Sequence, residues 1–274
     1  MLSGVTRGGR IRVNLRAYLI LATALVLWAC ILPRAPAAAS VAEAPKVVLR
    51  AALSPAQLGA SATIYYDVQI RPAAGLRVPP VATKLSLFYP DNIGLAASGL
   101  GLATCRRQRL EQRRLGGCPR NSVIGLARAE VAIPIGSQVV HEKARITALS
   151  GPMYHGNLGL LFNVIALRPF GAEFVFQGGL LPAGDPYGGR VDVELPLIPV
   201  FWTGRYVALE RVHGTFGPDR VMYVKRIGRR TVTYKPAGFL LPDACPRGGF
   251  RFAAQVTWNG GRRTTARTRV RCPG

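Results

Sequence analysis

Residues 250–272 read FRFAAQVTWNGGRRTTARTRVRC. Phe250, Phe252, Ala254, Val256 and Trp258 recur at every second position, the spacing of one face of a β-strand. Asn259-Gly260-Gly261 marks a turn, and Thr264 to Val270 returns as a second strand. A two-residue turn would set Phe252 opposite Arg267 and Val256 opposite Arg263. A three-residue loop sets Val256 opposite Thr264, Ala254 opposite Ala266, Phe252 opposite Thr268 and Phe250 opposite Val270. Only the second register keeps the apolar set on one side, because a one-residue slip turns a strand over. Gly261 can supply the left-handed conformation that such a loop requires. The register also brings Cys272 opposite Gly248, three residues from Cys245. A 245–272 disulfide is therefore expected to close the open end of the hairpin, worth about 2–4 kcal/mol.

The same period extends through the chain. In Ser61–Arg71 (SATIYYDVQIR), Ile64, Tyr66, Val68 and Ile70 alternate with Thr63, Tyr65, Asp67 and Gln69. Comparable runs are 46–53, 81–89, 122–133, 137–148, 158–168, 172–181, 190–195, 205–216, 220–227 and 230–235. Pro and Gly separate them at Pro79-Pro80, Pro90-Asp91-Asn92, Gly151-Pro152, Gly184-Asp185-Pro186 and Gly217-Pro218-Asp219. Many short strands between turn signals predict an all-β chain, a disulfide-stapled antiparallel β-sandwich or a barrel-like variant of it. The one helical window is Arg106–Leu115, with only Leu110 and Leu115 apolar, so at most one short surface helix is expected. The β domain spans 45–274. Whether residues from about 205 form a separate unit or complete the first sheet is open at this level.

The N-terminus reads as an export signal. Arg7, Arg10, Arg12 and Arg16 precede the apolar run Leu19–Leu32, and small residues follow it. That order is a secretory signal, with cleavage expected after Ala39 and alternatives at Ala42 and Ala44. The run falls short of the roughly 20 residues that span a bilayer; the rival reading is an uncleaved anchor. Leu-Trp-Ala-Cys at 27–30 is similar to a lipoprotein lipobox, although Trp28 is bulky for that motif, so lipidation of Cys30 is a further alternative. Losing Cys30 with residues 1–39 leaves Cys105, Cys118, Cys245 and Cys272. Four cysteines allow three connectivities. Local pairing, 105–118 and 245–272, is the expectation, in an oxidising compartment.

Charge is the other conspicuous feature. Lys and Arg number 36 against 13 Asp and Glu, a net +23. Arg106, Arg107, Arg109, Arg113 and Arg114 crowd the first cysteine loop, with Glu111 the only acid among them. They are candidates for binding anionic cell-envelope polymers or lipid headgroups; the plainer reading is a solvated face. Lys225, Arg226, Arg229 and Arg230 flank a turn at Gly228, and Arg251 would face Arg269 in the C-terminal hairpin. Nucleic acid is not an expected partner, since the chain reads as exported and lacks aromatics interleaved with its basic residues. His141, His155 and His213 are isolated. His141-Glu142 begins like a zinc H-E-x-x-H motif, but Arg145 stands where the second histidine belongs. No metal, cofactor or catalytic nucleophile is predicted. Asp192 and Glu194 share a strand face and are the best carboxylate pair, a spacing compatible with glycoside chemistry. Tyr187, Trp202 and Tyr206 lie near them in sequence. The bland reading of this pair is the wet face of an amphipathic strand.

The stretch from Cys105 to Ala129, T-C-x12-C-P-R-N-S-V-I-G-L-A-R-A, and the terminal D-A-C-P, G-F-R-F and R-C resemble a group of exported actinobacterial proteins. Those proteins, of unknown function, share a signal peptide and a CPxxSxIG stretch. The resemblance implies a disulfide-stapled, mainly β, extracytoplasmic protein, and carries no site residues. The expected function is a secreted or cell-envelope-associated binding or structural protein, non-enzymatic, with an Arg-rich surface and no spanning helix in the mature chain. The alternatives are an extracellular hydrolase acting on glycans, or a lipid-anchored surface protein.

Overall fold

The computed structural model describes residues 45–95, 103–201, 203–217, 223–234 and 239–272. The signal segment, its cleavage sites and Cys30 lie outside the described residues. Seventeen strands follow in chain order: β1 (Lys46–Ser54), β2 (Ser61–Arg71), β3 (Ala82–Pro90), β4 (Gly94–Leu95), β5 (Val123–Ile135), β6 (Gln138–Tyr154), β7 (Asn157–Arg168), β8 (Glu173–Pro182), β9 (Tyr187–Glu194), β10 (Pro199–Val200), β11 (Arg205–Tyr206), β12 (Ala208–Phe216), β13 (Tyr223–Ile227), β14 (Arg230–Tyr234), β15 (Phe239–Leu240), β16 (Phe250–Trp258) and β17 (Arg263–Val270). Among the described residues there is one short α-helix, α1 (Arg107–Arg113), which precedes β5.

The main sheet runs β17-β16-β3-β9-β8-β7-β6-β5-β12-β2-β1, every pairing antiparallel, and β15 and β4 extend the start of β2. β1 comes back beside β17, so the sheet curls into a nearly closed barrel, the barrel-like form of the expected architecture. Eleven strands form the wall. An odd ring of antiparallel neighbours must contain one parallel pair. That pair is β1 and β17, which lie side by side without a ladder between them. Residues beyond 205 complete this sheet: β12 lies between β5 and β2, and β16 lies against β3.

The C-terminal hairpin has the register read from its polarity. Phe250 pairs with Val270, Phe252 with Thr268, Ala254 with Ala266 and Val256 with Thr264. Gly260 and Gly261 turn the chain at φ +98° and +82°, and Gly261 N–H donates to Trp258 O at 2.9 Å. Both disulfides are the local ones, 105–118 and 245–272. One expected turn is not a turn. Gly151-Pro152 lies inside β6, which passes through an irregularity between Gly151 and Tyr154, and the chain reverses at His155-Gly156 instead. Proline is tolerated there because the local ladder is already interrupted.

Register also defines the two ends of the barrel. At one end lie the start of β1, the β2–β3 connection (72–81), the β5–β6 turn (136–137), the β7–β8 turn (169–172), the β9–β12 excursion carrying β10 and β11 (195–207), and the 259–262 turn. The opposite end carries both disulfides. Inside, β16 fills one half of the lumen. Phe250, Phe252 and Val256 are fully buried against Ile64 and Val68, and Tyr66 meets Phe252 edge-on at 5.8 Å. Each such side chain contributes about 1.5–3 kcal/mol of burial.

Candidate functional site

The other half of the lumen is not filled. The inward positions of neighbouring strands β5 and β6 are small: Ala129 faces Ala144 across the ladder, and Gly125 faces Ala148. Ala127 faces Gly214 of β12. Next to them in the same sheet, β7 and β8 present Phe162, Phe174 and Phe176, and β9 presents Val191 and Val193. The small and the aromatic stretches adjoin across the β6–β7 ladder, where Phe162 is the partner of Ala148. They leave a cavity of about 510 Å³ lined almost wholly by carbon, which reaches the end of the barrel at Ile135, Phe170 and Phe201. Its volume falls within the ~300–1,000 Å³ of ligand pockets, which are mostly apolar with a few placed polar groups.

Glu142 is the one carboxyl among the residues that line the cavity. It occupies the inward register of β6, two positions before Ala144 and opposite Val131. It is 3% exposed, and its Oε1 has no hydrogen-bond partner among the described residues. A buried polar atom without a partner is costly, and in a native protein it calls for an explanation. The cavity's phenol, Tyr66, is satisfied: its hydroxyl donates to Phe88 O at 3.4 Å, and burial together with Tyr89 pushes it well above the usual phenol range.

The carboxylate pair singled out from sequence lies elsewhere. Asp192 and Glu194 do share a face of β9, but it is the outer face, since Val191 and Val193 point inward. Asp192 is not on a wet face: it is 1% exposed and takes Lys84 Nζ at 2.8 Å and Arg190 Nε at 3.1 Å. Burial pushes its carboxyl up, but Lys84, Ser86 and Arg190 outweigh that and hold it below the usual carboxylate range. Glu194 accepts the Tyr154 hydroxyl at 2.9 Å; burial and this bond push the phenol up to about 12. Each carboxylate is thus occupied by cations or a phenol of the outer wall. Of the nearby aromatics, Tyr187 packs on Phe88, Tyr206 lies in β11, and Trp202 is outside the described residues.

A parallel arrangement sits on β2. Arg211 grips Asp67 through two bonds of 2.8 and 3.0 Å. The Arg211 hydrogen bond holds Asp67 below its ordinary range, and the Asp67 bond raises Arg211. Asp67 alternates with the inward Tyr66 and Val68 and is nonetheless buried, because Arg211 of the neighbouring strand covers it.

The arginines of the first cysteine loop are gathered on α1, outside the barrel wall. Leu110 is buried with Cys105, Leu149 and Leu161 and fixes the helix there. Arg107 pairs with Glu111 at 2.7 Å and Arg114 with Glu173 at 3.1 Å, while Arg106, Arg109 and Arg113 are exposed. Arg251 does face Arg269, on the outer side of the hairpin. Arg226, Arg229 and Arg230 are exposed around Gly228 on the β13–β14 ribbon. His141 Nδ1 meets Glu210 at 2.8 Å on the outer wall. Among the described residues, no three His, Cys, Asp or Glu side chains form a metal-binding group, and no helix is long and apolar enough to cross a membrane.

Fold and site together define a class: an antiparallel barrel, charged outside, with a carbon-lined lumen and, among the described residues that line it, a single carboxyl. The chain matches no protein-family model, and no curated protein and no solved structure matches it.

Proposed function

We propose that this protein is a non-enzymatic binding protein of the extracytoplasmic compartment or cell envelope, and that it carries an apolar ligand in its barrel. The observation that carries the reading is the apolar cavity lined by the small residues of β5 and β6 and the aromatic residues of β7 and β8. Glu142 gives the ligand a direction. An apolar body with a hydrogen-bond donor, a hydroxyl or an amine, satisfies the lone oxygen, whereas a fatty-acid carboxylate would confront it. The outer wall carries Arg128, Arg145, Lys84, Arg211 and Arg251, whereas a bilayer-spanning barrel turns an apolar band outward; this favours a carrier over a pore. The two disulfides are compatible with an oxidising compartment. Exposed Arg106, Arg109 and Arg113 offer a separate contact for anionic envelope polymers, which a pull-down at low and high salt would read as salt-sensitive retention.

The test is a titration with N-phenyl-1-naphthylamine, an apolar fluorophore with one N–H donor. Saturable binding is expected, displaced by hexadecanol and hexadecylamine at least about tenfold better than by hexadecanoate, a difference of about 1.4 kcal/mol. Glu142→Leu should narrow that preference while keeping the probe bound. Absence of saturable binding by any of these compounds would overturn the proposal.

A further inference from the structure

We infer that the open end of the barrel is a docking surface for an anionic lipid bilayer. Six large apolar side chains stand exposed at that end: Leu76 (56%), Ile135 (40%), Leu167 (41%), Phe170 (55%), Leu197 (40%) and Phe201 (77%). They come from four separate connections that the strand register brings together, the β2–β3 connection, the β5–β6 turn, the β7–β8 turn and the β9–β12 excursion. Single exposed apolar residues need no explanation, but a cluster around one opening does. Ile135, Phe170 and Phe201 also line the cavity while standing exposed. The patch and the cavity are therefore one continuous apolar path.

Charge identifies the occupant. The connections at this end (72–81, 136–137, 169–172, 195–207 and 259–262) contain no Asp or Glu. They contribute Arg77, Arg205 and Arg262, and Arg168 stands at the end of β7; all four are exposed. Arg77 also donates to Ser137 O at 2.8 Å, which ties the β2–β3 connection to the β5–β6 turn. The acids nearest this end, Glu173 and Glu194, are engaged by Arg114 and by Lys84 and Tyr154. Aromatic and aliphatic tips ringed by arginines match the chemistry of an anionic headgroup region over hydrocarbon. A second copy of the same end would instead set arginine against arginine.

The surface goes beyond the proposed ligand site and is tested separately from it. The purified mature protein is sedimented with sucrose-loaded vesicles of phosphatidylcholine alone and of phosphatidylcholine with phosphatidylglycerol, at low and high salt. Binding is expected only with phosphatidylglycerol, weakening at high salt. Phe170→Ser with Phe201→Ser should reduce it at least about tenfold, as should Arg168→Ser with Arg205→Ser at low salt. Arg106→Ser with Arg109→Ser and Arg113→Ser, on the side wall, should leave it unchanged. Circular dichroism and the thermal midpoint report that each variant is folded, and naphthylamine binding is read independently. Failure to bind either vesicle would overturn the inference. So would loss of binding in the α1 variant with retention in the phenylalanine variant, or concentration-dependent dimerisation abolished by the phenylalanine variant.

Discussion

Asp192→Ala removes the carboxylate on which Lys84 of β3 and Arg190 of β9 converge. The contacts are 2.8 and 3.1 Å, and the Asp192 side chain is 1% exposed. At an effective dielectric near 20, a unit charge pair at such distances is worth about 5 kcal/mol before desolvation is counted. The desolvation of Asp192 opposes most of that. Breaking a buried pair typically costs about 3–5 kcal/mol, because a charge is left stranded. Here the stranded charges are Lys84 and Arg190, each about a third exposed and able to turn into water, so screening places the expected loss lower, at about 2–3 kcal/mol. Asp192→Asn keeps the shape and two hydrogen-bond sites and should cost about 1–2 kcal/mol. The assay is guanidinium unfolding with disulfides intact, combined with Lys84→Met in a double-mutant cycle, where a coupling of about 1 kcal/mol or more is expected. A loss below about 0.5 kcal/mol for Asp192→Ala would refute this reasoning, since that is the level of an ordinary surface change. A glycan-hydrolysing role would instead predict lost turnover at unchanged stability.

Four further outcomes follow from the same geometry. The 245–272 bridge spans 27 residues of sequence, so Cys245→Ser with Cys272→Ser should lose about 3–4 kcal/mol in urea unfolding, with the hairpin amides exchanging first. Asp67 and Asp192 are both held below their ordinary range. The stability they confer is fully present above the unfolded carboxylate pKa of about 3.9 and is lost as pH falls through their lower folded values; unfolding midpoints across acid pH should show this, and Arg211→Met should flatten it. Tyr154, raised to about 12, should titrate late in absorbance at alkaline pH, its stabilising effect present below pH ~10 and lost as pH rises toward that value. Ala144→Phe should place a ring in vacant lumen, abolish naphthylamine binding and leave the unfolding midpoint at or above that of the parent.

Much of the wall was legible because its information is local. Alternation marked nearly every long strand, and in β16–β17 the polarity of both strands left one register that kept Phe250, Phe252, Ala254 and Val256 together. The choice between sandwich and barrel was not local. It depends on β12 inserting between β5 and β2 and on β16 pairing with β3, contacts between segments far apart in sequence. The cavity escaped the sequence for a similar reason. Ala127, Ala129, Ala144 and Ala148 read as an ordinary core face, and only the closing of the sheet shows that they line a cavity together with Phe162 and Phe174. A signal for Glu142 was present. It falls in step with Ala144, Ile146 and Ala148, an acid on the apolar side of an alternating strand, but reading it as part of a broken zinc motif hid its place on that face. The buried state of Asp67 and Asp192 was invisible for want of knowing which arginine or lysine the next strand would bring.

The central claim is that the lumen holds an apolar molecule with a hydrogen-bond donor. Native mass spectrometry of the protein, purified from its producing cells without detergent, reads this directly. The account predicts a population heavier than the bare chain by one small molecule, lost on organic extraction, restored by hexadecanol and suppressed in Ala144→Phe. A single bare mass that takes up neither hexadecanol nor hexadecylamine would contradict it.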